Sequence, residues 1–136
     1  MENHAPTTEK AIESMLNEWK RSMLTFWTLG LLLVRPMYGL EIRKEIESST
    51  QGQIRLGTST IYQLLRRMET RGLVQSRWER TTHGPPRAYY EITPVGIGVV
   101  ARFSAEILSP QSPIAAALGN LTMQIFQKLA NFRQSH

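Results

Sequence analysis

Cysteine and aspartate are absent from these 136 residues, and histidine occurs only three times, at positions 4, 83 and 136. Without cysteine there is no disulfide, no thiolate metal site and no cysteine nucleophile. The missing aspartate and the scattered histidines leave no metal-ligand spacing and no acid–base pair, since the glutamates read as residues of exposed helical faces. A glycine-rich phosphate loop is missing too. The expectation is a protein that is not an enzyme, with no catalytic residue, metal or cofactor. Long apolar runs are also scarce. The longest, Met23 to Val34, has twelve residues. As a helix that is about 18 Å, against roughly 30 Å of bilayer hydrocarbon. It starts after an acid-containing leader, too late for a secretory signal, and reads as a buried helix of a cytoplasmic protein with no membrane partner.

With 41% hydrophobic and 20% charged residues the chain has the make-up of a folded protein rather than a disordered one. Its length allows one compact domain and an appendage. The net charge is +5, and its distribution is uneven: Arg55 to Arg87 holds seven arginines against Glu69 and Glu79, so this quarter of the chain carries the whole excess. Arginine clustered in this way favours nucleic acid over a membrane surface as the acidic partner.

Pro6 before Thr7 and Thr8 marks a helix start after a loose end over residues 1–6. Apolar residues then recur in steps of three and four from Ile12 through Met15, Leu16, Trp19, Met23, Phe26, Trp27 and Leu31 to Val34. That is one helix of roughly seven turns. Its first half has an apolar stripe with no place to go in a small domain, so a partner chain is expected to cover it. Its second half, with Leu24, Leu29, Leu32 and Leu33 on the back, is apolar nearly all round and should be enclosed.

Arg35-Pro36 ends that helix. Tyr38-Gly39 opens a second, with Ile42 and Ile46 inward, and Ile54 to Leu56 suggests a very short strand. A third helix, from about Ser59 to Arg71, has Ile61, Leu64, Leu65 and Met68 on one face. Thr58 or Ser59 should supply its N-cap oxygen, and Gly72 should end it in the left-handed region. Two β-prone runs, Leu73 to Glu79 and Ala88 to Ile92, flank a polar tip and predict a hairpin on which Trp78 packs toward the core. Thr93-Pro94 starts another helix, weakened by Gly96 and Gly98. After a break at Ser109–Pro113, Ile114, Leu118, Leu121, Ile125, Leu129 and Phe132 approach a heptad seam.

Three helices followed by an arginine-rich hairpin make a winged helix-turn-helix. The expected fold is mostly α with a small β-hairpin wing, divided into an N-terminal extension (1–21, helical from about 8), a DNA-binding domain (22–93) and C-terminal dimerisation helices (94–136). If the third helix is the recognition helix, its outward face carries Thr58, Ser59, Thr60, Tyr62, Gln63, Arg66, Arg67 and Thr70. Gln63 suits adenine and Arg66 guanine, while the hydroxyls suit phosphates or a thymine methyl. Arg77, Arg80, His83 and Arg87 on the wing would meet backbone or minor groove. The bland counterparts are a solvated arginine face and a polar turn histidine. The dimer contacts expected are Trp19, Met23, Trp27, Phe103 and Ile107, together with the six seam residues from Ile114 to Phe132.

The segments LGLLLVRPMYGLEIRKEI (29–46), TIYQLLRRMETRGLVQSRWE (60–79) and GPPRAYYEITPVG (84–96) resemble the PadR family of transcriptional regulators. The resemblance implies a cytoplasmic, dimeric winged-helix DNA-binding regulator, most often a repressor of nearby genes. It also implies a dimer formed by the C-terminal helix with help from the N-terminal one, and in some members an aromatic effector between subunits. Gln63 stands where the family commonly has Pro, and Ser59 where it has Gly. The chain has a longer N-terminal arm, a break at Ser109–Pro113 and no Trp after residue 93. The arm is also similar to that of the cyanobacterial period-extender (Pex) branch, as it is to other long-armed members. Three functions follow: operator binding as a homodimer; sensing of an aromatic small molecule near Trp19, Trp27 and Phe103; and a winged-helix module that docks an acidic protein.

Overall fold

The structure, a computed structural model, describes residues 5–135; His4, His136 and most of the expected loose end lie outside the described residues. The chain divides into two units, one running to Ile97 and the other from Gly98.

The first unit opens with helix α1 (Thr8–Val34), one unbroken rod as its periodicity predicts. The Thr7 hydroxyl caps it, accepting the Lys10 amide at 3.2 Å. Every described residue before Met23 is exposed, and Leu24, Thr28, Leu29 and Leu32 are buried. The expected full enclosure of its second half needs correction: Leu33 is 48% and Val34 80% exposed. One side of the rod is covered, not its circumference. Arg35 ends α1 in an extended conformation, and Met37–Tyr38 form a short strand, β1.

Helix α2 (Gly39–Ser49) begins as Glu41 turns back to accept the Tyr38 amide at 3.1 Å, and it buries Ile42 and Ile46. The strand expected at Ile54–Leu56 does not form. Side chains satisfy that loop instead: the Thr50 hydroxyl accepts the Ile54 amide at 3.0 Å, and Arg43 donates to the Leu56 carbonyl.

Helix α3 (Thr58–Thr70) follows, and its cap also differs from the expected one. Gly57, not Thr58 or Ser59, is the N-cap, and no side-chain oxygen serves there. Gly57 is already extended and its carbonyl accepts the first helical amide, from Ile61. At the other end Gly72 has φ +75°, with Leu73 N–H bonded to Met68 O and Gly72 N–H to Glu69 O, both at 2.9 Å. This is the Schellman arrangement that left-handed glycine permits.

Strands β2 (Val74–Glu79) and β3 (Arg87–Ile92) pair antiparallel, from Val74 opposite Ile92 to Glu79 opposite Arg87. β1 joins the far edge of β3, with Met37 opposite Tyr90, giving the order β1-β3-β2. Helix α4 (Pro94–Phe103) starts at Thr93, whose hydroxyl accepts the Gly96 amide at 3.1 Å and donates to the Gly72 carbonyl. Gly96 is there for space. A Cβ would collide with the Leu73 carbonyl oxygen.

In the second unit a wider, π-type turn (Ser104–Leu108) is closed by Ser109 N–H to Ser104 O at 2.8 Å. Buried Ser112 then starts helix α5 (Pro113–Ser135), accepting the Ala115 amide at 3.2 Å and donating to the Glu106 carbonyl. No residue of α5 is buried. Among the described residues no helix is long and apolar enough to cross a membrane.

Candidate nucleic-acid interface

Four apolar contacts seat α3. Ile61 and Leu65 are fully buried, and Leu64 and Met68 nearly so. Because successive residues are about 100° apart around a helix, fixing that seam turns everything else outward. Ser59, Thr60, Tyr62, Gln63, Arg66, Arg67 and Thr70 are all exposed, as is Thr58 at the first turn. Arg66 and Arg67 make no salt bridge among the described residues, so both cations are open to an anion.

The wing is less uniform. Arg80, His83 and Arg87 are exposed at or beside its tip. Thr81 closes that tip by donating to the Pro85 carbonyl at 3.2 Å. Arg87 lies 5.0 Å from the centre of the Tyr38 ring, a cation–π distance. Tyr38 in turn faces Tyr89 with ring centres 3.9 Å apart. Arg77 is different. Its guanidinium is shared between Glu79, at 2.9 Å, and the cross-strand Glu91. Two carboxylates already neutralise it, so of the four wing residues proposed from the sequence it is the least available to phosphate.

Both phenols on β3 are held neutral. A hydrogen bond with Tyr38, which favours the protonated Tyr89, together with burial pushes Tyr89 up to about 12, and burial raises Tyr90. Both remain hydroxyls at neutral pH.

Between α2, α3 and the wing lies a recess of about 640 Å³, walled by Leu40, Lys44, Tyr62, Arg66, Trp78 and Tyr90 among others. Its two acids are occupied: Glu69 accepts the Ser76 amide and hydroxyl at 2.8 and 2.7 Å, and Glu41 pairs with Arg35 at 3.1 Å. Trp78 corrects the sequence reading, since it is 73% exposed and does not pack to the core. It shares a strand face with buried Val74 but pairs with Ala88 near the hairpin tip, four residues beyond the part of β2 that meets the core. Strand alternation set its face, not its depth. Lys44 and Leu40 were missed as well, because only the tertiary approach of α2 to the wing brings them here.

Of the residues expected at a dimer contact, Trp19 is exposed while Met23 and Trp27 are half-buried, and they share α1. Ile107 is half-buried and Phe103 exposed; Ile114, Leu118, Leu121, Ile125, Leu129 and Phe132 are all exposed along α5. Among the described residues no three His, Cys, Asp or Glu side chains gather as a metal site.

A family profile described as "Transcriptional regulator PadR-like family" matches residues 28–102, more than half of the chain. A solved PadR family transcriptional regulator from Eggerthella lenta is 26% identical, with TM-score 0.59 over 89% of this chain and 94% of that one. The circadian clock associated protein Pex from Anabaena is 20% identical, with TM-score 0.54 over 62% of this chain and 73% of that one, a likeness of fold alone. An uncharacterised protein from Lysinibacillus sphaericus is 31% identical over 68 residues, half of this chain and 62% of that relative's length.

Proposed function

The chain belongs to the PadR-like family of transcriptional regulators, and from that premise we propose that it is a sequence-specific DNA-binding repressor acting as a homodimer on a pseudo-palindromic operator. The observation that carries this is the seat of α3: four buried apolar residues hold Gln63, Arg66 and Arg67 outward beside a basic wing. In this reading Gln63 and Arg66 reach base edges in the major groove. Ser59, Thr60, Tyr62, Arg67, Arg80, His83 and Arg87 hold the backbone. A second copy covers the apolar stripes that α5 and the first half of α1 leave exposed. Two recognition helices then lie about one turn of DNA, or a multiple of it, apart. Occupied promoter DNA excludes polymerase.

Selection of bound fragments from genomic DNA tests the whole reading, because the shared motif should show two-fold symmetry. With about four phosphate contacts per half-site, the log–log salt slope of the dimer is about −7. Arg66→Ala and Gln63→Ala relax preference at one base pair each, by roughly 1–3 kcal/mol. Arg80→Glu with Arg87→Glu weakens binding to every sequence alike. Unchanged discrimination by the Arg66 variant on a randomised-site library sinks the base-reading role of α3. No retardation of sheared genomic DNA at micromolar protein favours a protein-docking module instead.

A further inference from the structure

A second recess, of about 210 Å³, lies on α3 and is lined by Asn17, Lys20, Arg21 and Leu24 of α1, with Leu56, Thr60, Leu64 and Arg67. Lys20, Arg21 and Arg67 contribute three positive charges, and no acid lines it. None of the three makes a salt bridge among the described residues. Like charges gathered without a counter-ion repel one another, and an anion seated among them removes that repulsion. Asn17 and Thr60 add neutral hydrogen-bonding groups of the kind that position a phosphate.

The placement on α3 says which anion. Thr60, Leu64 and Arg67 line this recess, and Tyr62, Arg66 and Glu69 line the one beside the wing. Each set follows the spacing i, i+4, i+7, and the two are offset by two residues, or roughly 200° around the axis. They are opposite flanks of one helix. A helix lying in the major groove has a phosphate backbone on either side of it. Adjacent Arg66 and Arg67 therefore face opposite sides of the groove.

We infer that α1 is part of the DNA-binding surface: Lys20 and Arg21, with Arg67 and Thr60, hold neighbouring phosphates of the strand across the major groove from the wing. This rests on the reading of α3 as the recognition helix and adds a clamp from an element that reading leaves out. The chain then grips both backbones of one half-site, the wing holding one and α1 the other. Contacts of this kind set affinity and register and leave base preference alone.

The test is the salt dependence of operator binding by full-length Lys20→Gln/Arg21→Gln, by Arg67→Gln, and by Lys128→Gln/Arg133→Gln as a control matched in charge. Each lost phosphate contact lowers the magnitude of the log–log slope by about 1 per bound chain. The first variant should lose about two per chain and the second about one, with sequence preference unchanged and the control at the wild-type slope. Phosphate ethylation should show that the positions freed in Lys20→Gln/Arg21→Gln lie on the opposite strand from those freed in Arg87→Ala. A wild-type slope in Lys20→Gln/Arg21→Gln overturns the inference while leaving the α3 reading standing. So does tight binding of inorganic phosphate in this recess that persists when operator is bound. Wild-type protein that binds no DNA removes the α3 reading itself, and this inference with it.

Discussion

Helices α3 and α5 have the same kind of sequence and opposite fates. Both repeat apolar residues at steps of three and four. In α3 all four are buried, while in α5 Ile114, Leu118, Leu121, Ile125, Leu129 and Phe132 stay between 46% and 64% exposed. Periodicity therefore reports that a face will be covered, not by what. For α3 the cover is its own domain, which makes the opposite face dependable. For α5 its own unit supplies none, and a second copy is the proposed cover.

The largest effect that can break this contrast is a pair of truncations. Leu65→Ala removes a fully buried side chain and should cost about 2–5 kcal/mol in urea unfolding, whatever the protein concentration. Leu121→Ala should change the stability of dilute protein by no more than about 0.5 kcal/mol. Its effect should grow with concentration as the associated form takes over. If Leu121→Ala costs dilute protein as much as Leu65→Ala, the seam is already covered within one chain and the proposed dimer loses its main support.

The next effect concerns how closely the DNA-binding unit is packed. Gly96 meets the Leu73 carbonyl just beyond the α3 cap, and an added Cβ has nowhere to go because the obstacle is backbone. Gly96→Ala should destabilise by about 1–3 kcal/mol. It should also weaken DNA binding, since Thr93, one turn earlier, ties the start of α4 to the Gly72 carbonyl at the end of α3. Thermal melts and a gel shift on one preparation check both. A neutral result means that the turn at Gly72–Leu73 gives way and α3 is less rigidly held than its seat suggests.

What the sequence disclosed divides along the same line. The inward and outward faces of α3, the left-handed Gly72, the hairpin and the uncovered first half of α1 were all legible, because each follows from spacing or from one residue's conformational freedom. Four features were not. Strand β1 is two residues long, too short for alternation to register, and exists only because β3 offers an edge. Trp78 had a readable face but an unreadable depth. The N-cap at Gly57 turned on backbone geometry that its neighbours Thr58 and Ser59, better capping residues by type, obscured. The recess on α1 was illegible for the same reason as β1. Lys20 and Arg21 stand some forty residues before Thr60 and Arg67, and nothing local signals that they meet.

Gly98 gives the smallest and most diagnostic test. It lies two residues past Gly96 in α4, yet a Cβ there meets nothing within 4 Å. Within one chain, Gly98→Ala should therefore stabilise by about 0.5–1 kcal/mol, since alanine gives up less backbone freedom than glycine on entering a helix. The expected result is a small rise in the melting temperature of dilute protein. A concentration series then asks whether that empty space is solvent or a place kept for a second copy. If the gain is the same at every concentration, the surface at Gly98 is open in the assembled protein. If it turns into a loss as the protein associates, Gly98 faces the partner, and the second copy reaches α4 as well as α5.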